Sequence, residues 1–149
     1  GAPHNDMKQV YISFIRSLLE QSCNVWSSSL TVECQKDIER VQKIALKIIL
    51  KDQYKSYEVA LKLLDFETLK ERRSCLSLKF AKKCLKNPKM KNLFPPSKNK
   101  HEMTKRNTEN FQVFHANTDR LRNSTIIHMQ KQLNQEVTRR KKKDSLWNI

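Results

Sequence analysis

Glycine is all but missing from this chain, with one residue in 149, at position 1. Proline is scarce as well, with four. Loop-rich and all-β folds need turn residues of both kinds, so the shortage argues against those classes and for helices, which need few. No apolar run approaches the roughly 18 residues of a membrane-spanning helix, and no secretory leader pattern is present. An intracellular protein, nuclear or cytoplasmic, is the expectation. The chain opens on Gly1 rather than Met, as an excised or processed piece would.

The usual catalytic constellations are also missing. Six aspartates stand apart at 6, 37, 52, 65, 119 and 144, so there is no adjacent acidic pair of the sort that holds two metal ions. There is no phosphate-cradling glycine loop, no GxSxG and no HExxH. The cysteines at 23, 34, 75 and 84 form no CxxC, and the histidines at 4, 101, 115 and 128 complete no zinc spacing. No enzyme activity, metal or cofactor is expected. Cys34, Cys75 and Cys84 fall on or beside apolar helix faces and are read as small buried hydrophobes carrying free thiols.

Positive charge is abundant: 30 Lys and Arg against 15 Asp and Glu, a formal net charge of +15. It is uneven along the chain. Residues 1–50 carry 6 basic against 5 acidic residues, residues 51–100 carry 14 against 5, and residues 101–149 carry 10 against 5. A polyanionic partner is the natural inference.

Hydrophobic periodicity predicts an all-α fold, a bundle of about four helices over residues 1–87. The first helix carries Met7, Val10, Tyr11, Phe14, Ile15, Leu18 and Leu19 as one stripe, capped by Asn5 or Asp6 and ending near Cys23, with Trp26 packing back onto the core. Tyr11, Phe14 and Trp26 are read as core rather than as base-stacking groups. Arg16 and Glu20 point off the stripe at salt-bridge spacing. Thr31 caps a second helix whose buried stripe is Cys34, Ile38, Val41, Ala45, Ile48 and Ile49. Ser56 caps a short third helix through Leu64.

Thr68-Leu69-Lys70-Glu71 fits a capping box for a fourth helix, which Asn87-Pro88 stops near Lys86. There Leu69, Leu76, Phe80 and Cys84 share one face. Arg72, Lys79, Lys83 and Lys86 share a neighbouring one, with Lys82 at its edge. Arg73 falls among the apolar residues, either stem-buried or paired with a carboxylate on another helix. Residues 88–100, rich in proline and lysine, read as a linker. Residues 101–149 read as a basic, loosely structured C-terminal extension. In it Phe111–Phe114 alternates like a short strand, and Ser124 caps a last helix with Ile127, Gln130, Leu133 and Val137 on one side. The run Arg139, Arg140, Lys141, Lys142 and Lys143 lies near the end.

Four blocks stand in series: Val10 to Trp26, Asp37-Ile38-Glu39-Arg40-Val41-Gln42-Lys43-Ile44-Ala45, Tyr57-Glu58-Val59-Ala60-Leu61, and Thr68-Leu69-Lys70-Glu71-Arg72-Arg73. In that order they resemble the region just after the polymerase core in non-LTR retrotransposon reverse transcriptases of the jockey-like kind. The resemblance runs from about residue 5 to 96, is looser to about 135, and fades into the basic tail. It implies a thumb-like helical bundle that holds the template–primer duplex by its phosphates. Arg72, Lys79, Lys82, Lys83, Lys86 and the Arg139–Lys143 run are the candidate contacts to RNA–DNA or double-stranded nucleic acid. The alternative is a domesticated module that docks a protein partner, for which a large exposed apolar patch is the expected mark.

Overall fold

The computed structural model describes residues 3–96 and 111–146, with side chains as far as Arg139. The fold is all-α. Its helices are α1 (His4–Val10), α2 (Ser17–Glu20), α3 (Cys23–Trp26), α4 (Val32–Leu50), α5 (Tyr57–Leu64), α6 (Leu69–Lys86), α7 (Asp119–Arg122) and α8 (Thr125–Leu146). A π-helical stretch, Tyr11–Arg16, joins α1 to α2. The chain divides into two compact units, residues 1–76 and 77–149, and the division falls inside α6 rather than at the proline-rich segment.

In the first unit the caps expected at Thr31, Ser56 and Thr68 form. Thr31 Oγ1 accepts from Cys34 N at 3.2 Å, and Ser56 Oγ accepts from Val59 N at 3.3 Å. The capping box forms: Thr68 Oγ1 accepts from Glu71 N at 3.2 Å, while Glu71 Oε2 accepts from Thr68 N at 3.2 Å. The start of the chain differs from expectation. Pro3 occupies the cap of α1 with no side-chain bond, and Asn5 and Asp6 lie inside the helix. The helix breaks before Cys23, at Ser22, whose φ of 51° puts it in the left-handed region.

Two cores fill this unit. Leu46, Leu50, Ala60 and Leu61 form one, walled by Tyr54, Tyr57, Leu64 and Phe66. Tyr11, Ala45 and Ile49 form the other, flanked by Met7, Ile12, Leu64 and Phe66. Both buried stripes are rotated from the expected ones. On α4 the buried residues are Gln42, Ala45, Leu46, Ile49 and Leu50, while Val41 and Ile48 face out and Cys34 is exposed. Gln42 displaces Val41 because both ends of its amide find partners: Nε2 donates to the Glu67 carbonyl at 3.1 Å, and Oε1 lies 3.1 Å from the Tyr57 hydroxyl, whose one proton it shares with Glu39. At the start of the chain Tyr11 is buried but Val10, Phe14 and Leu18 are not. The wide π turn advances each residue through a smaller angle, so Phe14 falls farther from Tyr11 than α spacing predicts.

The second unit has its own core of Ala81, Cys84, Phe94, Met129 and Leu133, with Leu78, Leu85, Met90, Leu93 and Phe111 packed against it. The segment read as a linker therefore contributes Phe94, Met90 and Leu93 to packing. The part of the C-terminal extension that is described contributes a long helix. On α8, Ile127, Gln130 and Leu133 are buried and Val137 half-buried, as their spacing predicts. Phe111–Phe114 makes a single bridge, Pro96 with Phe111, instead of a strand. Gln112 N donates to the Pro95 carbonyl at 2.9 Å, and side chains of α8 bond the two ends of the segment. Asn134 accepts from Phe111 N at 3.0 Å and donates to Phe111 O at 2.8 Å, and Gln130 accepts from Phe114 N at 3.1 Å while donating to Leu93 O at 2.9 Å. Residues 97–110, most of them in the expected extension, lie outside the described residues.

Candidate nucleic-acid interface

The lysines of α6 in the second unit separate into two kinds. Lys79, Lys83 and Lys86 are exposed, and none forms an ion pair with a carboxylate among the described residues. Their spacing of four and three residues puts them on one helical face, spanning roughly 10 Å of helix axis at 1.5 Å per residue. Lys82 is spoken for: its Nζ lies 2.6 Å from Glu136 Oε1 on α8. The packed side of the same helix stretch is Ser77, Ala81 and Cys84, with Phe80 at the rim rather than inside. Burial pushes the Cys84 thiol up from its ordinary value.

Arg72 belongs to the first unit and is held there. Its Nε and Nη2 both bond the Glu20 carboxylate, the second at 3.2 Å, and Arg16 approaches the same carboxylate at 3.9 Å. The Glu20 hydrogen bond raises the Arg72 pKa further above its usual value. A guanidinium held in a two-point pair is less available to a phosphate than an unpaired ammonium.

Arg73 is buried, at 2% exposure, and the carboxylate it meets is Glu39 on α4 at 4.0 Å. Trp26 covers the guanidinium at 6.0 Å. Glu39 also accepts from the Tyr57 hydroxyl at 2.8 Å, from Leu69 N at 3.3 Å and from Lys70 N at 2.7 Å. It is thus a second cap on α6, supplied by α4, and a carboxylate at a helix N-terminus is favoured by the helix dipole. Burial and the Glu39 bond push the Tyr57 phenol well above its usual range, and burial lifts Tyr11 to about 12. Sequence spacing reveals the capping box but not Glu39, because the bond crosses 30 residues of chain.

Of the terminal basic run, Arg139 is exposed on α8. Arg140, Lys141, Lys142 and Lys143 continue the α8 backbone, and their side chains lie outside the described residues.

Division into units sharpens the charge asymmetry. Residues 1–76 carry 12 Lys and Arg against 10 Asp and Glu, a net +2, whereas residues 77–149 carry 18 against 5, a net +13. Among the described residues no group of three His, Cys, Asp or Glu could hold a metal ion, and no helix is long and apolar enough to cross a membrane. No family model matches the chain, nor does any curated protein or any solved structure.

Proposed function

We propose that the chain is a non-catalytic, nucleic-acid-binding module, thumb-like in the sense of its resemblance to the region after a reverse transcriptase core. In this reading the second unit grips the phosphates of an RNA–DNA or other duplex. The observation that supports it is the exposed face of Lys79, Lys83 and Lys86 in a unit with 18 basic and 5 acidic residues. One strand of a duplex presents a phosphate about every 3.4 Å along its axis, so a face roughly 10 Å long meets about three of them. Contacts of this kind are electrostatic, tolerant of sequence and sensitive to salt. Arg72 and Lys82, each tied to a glutamate, position helices in this reading and contribute little to the grip.

The test is fluorescence anisotropy with a labelled RNA–DNA hybrid and a duplex DNA, titrated at several salt concentrations. The parent should bind both, with a steep loss of affinity as salt rises. Changing Lys79, Lys83 and Lys86 together to glutamate should leave helicity intact, since these positions are exposed and glutamate is a good helix former. Loss of three phosphate contacts should flatten the slope of log K against log salt by about 2.7. Equal binding by parent and variant would reduce this face to a solvated surface.

A further inference from the structure

The first unit is close to neutral as a whole, yet its cations are gathered on one stretch. Residues 40–55 carry 5 Lys and Arg against 1 Asp, a net +4, while the rest of residues 1–76 carries 7 basic against 9 acidic residues, a net −2. Three of the five, Arg40, Lys43 and Lys47, follow one another on α4 at steps of three and four. That spacing sets them within about 60° of one another around the helix axis and over roughly 10 Å of its length. All three are exposed, and none forms an ion pair with a carboxylate among the described residues. Glu39, the acid beside them, is already engaged by Leu69 N, Lys70 N and the Tyr57 hydroxyl. Lys36 extends the row toward the start of the helix, but there Glu33 and Asp37 accompany it.

Two of these cations are held in place by rings. Lys43 Nζ lies 5.1 Å from the centre of the Tyr57 ring, and Lys47 Nζ lies 5.5 Å from that of Tyr54. Both rings are partly buried against the core of Leu46, Leu50, Ala60 and Leu61, so they give a fixed platform. An aromatic face orients an ammonium without cancelling its charge. A carboxylate cancels it, as Glu136 does for Lys82. A lysine gives up rotamer freedom when a ligand fixes it, and a side chain already placed gives up less.

We infer that Arg40, Lys43 and Lys47 form a second nucleic-acid contact, in the first unit, that takes the phosphates of a strand. The class of partner rests on the function proposed above; the residues do not. The row matches Lys79, Lys83 and Lys86 in length and in number of cations, so it too meets about three phosphates of one strand. Lysines lie over the rings on which a base would otherwise stack. The contact is therefore one of charge, tolerant of sequence.

Anisotropy with a labelled RNA–DNA hybrid and a duplex DNA, begun at low salt, tests this in the full, nuclease-treated chain. With Lys79, Lys83 and Lys86 already changed to glutamate, binding should persist. Adding Arg40→Gln, Lys43→Gln and Lys47→Gln should weaken it by about tenfold or more and flatten the slope of log K against log salt by about a further 2.7. Helicity should be kept, since the positions are exposed and glutamine is a good helix former. In the same background Tyr54→Leu should weaken binding about two- to fivefold, whereas Tyr54→Phe, which keeps the ring under Lys47, should not. Amine-reactive footprinting of the unaltered chain needs no variant to fold: saturating duplex should shield Lys43 and Lys47. Unchanged binding on adding the three glutamines, or full labelling of both lysines in the complex, would overturn this contact. Parent-like binding by the α6 variant, with loss on changing α4, would instead refute the α6 grip and leave this one standing.

Discussion

Replacing Glu39 should unfold the first unit more readily than any other single change at a partly exposed residue. Its carboxylate takes two backbone N–H groups from the first turn of α6, at 3.3 and 2.7 Å, and the Tyr57 hydroxyl at 2.8 Å. It is also the nearest countercharge to Arg73, one of whose nitrogens, Nη1, is buried with no hydrogen-bond partner among the described residues. Removing one member of a buried pair costs about 3–5 kcal/mol, since the other charge stays behind. Each orphaned donor adds on the order of 1 kcal/mol, less where water reaches it, as at Lys70. A cost of about 4 kcal/mol is expected for Glu39→Ala. Glu39→Gln keeps the shape and one acceptor and should cost about 2 kcal/mol.

Urea unfolding followed by Trp26 fluorescence reads this directly, in a Trp147→Phe background that leaves Trp26 as the only indole of the two. Trp26 lies over Arg73, inside the affected region. Arg73→Met alone should be destabilising. Combined with Glu39→Ala it should cost clearly less than the sum, with a coupling of about 2 kcal/mol. If Glu39→Ala costs under about 1 kcal/mol, or the two changes simply add, α6 is held by packing and not by the Glu39 carboxylate.

The second unit should respond to acid through His128. Burial lowers its pKa from 6.5, so the unfolded chain takes up a proton before the folded one does. Stability should be full above pH 6.5 and fall as pH drops toward the folded value, a slope that His128→Gln removes in pH-dependent urea titrations. Asn134→Ala strips both backbone bonds from Phe111 and should cost about 2 kcal/mol in urea unfolding followed by circular dichroism; a neutral result would mean that Phe111 is held by its ring alone. Lys82→Ala, by contrast, should cost no more than about 1 kcal/mol by the same measurement, because that pair is partly solvated. With a thiol reagent, Cys34 and Cys75 should react at once, and Cys23 and Cys84 only as the chain unfolds. Protection of Cys75 would show that its helix face is covered in solution.

The four sequence blocks, Val10 to Trp26, Asp37 to Ala45, Tyr57 to Leu61 and Thr68 to Arg73, converge in space. Tyr11, Arg16, Glu20 and Trp26 come from the first, Glu39 and Gln42 from the second, Tyr57 from the third, and Thr68, Glu71, Arg72 and Arg73 from the fourth. Most of these residues meet around the N-terminal turn of α6, through Glu20, Glu39 and the Thr68–Glu71 box. These residue types and spacings are in large part the polar fastening of one helix to its neighbours. Arg72 illustrates this: in sequence it is another basic residue on a basic face, while in the fold a glutamate 52 residues away holds it.

The sequence by itself determined the all-α class, the caps at Thr31, Ser56 and Thr68, the limits of α5 and α6, and the buried side of α8. These are matters of local spacing and short-range hydrogen bonds. Tertiary structure alone decided which stripe of α4 is buried, because Gln42 goes inside only when Glu67 and Tyr57 are there to bond it. It decided that Phe94 and Phe111 belong to a core, because Asn134 and Gln130 satisfy the backbone that accompanies them. It also decided which cations on α6 are unpaired. Helical periodicity fixes the direction in which a side chain leaves its own helix, but whether it meets a carboxylate, a core or water depends on residues brought in from elsewhere in the chain.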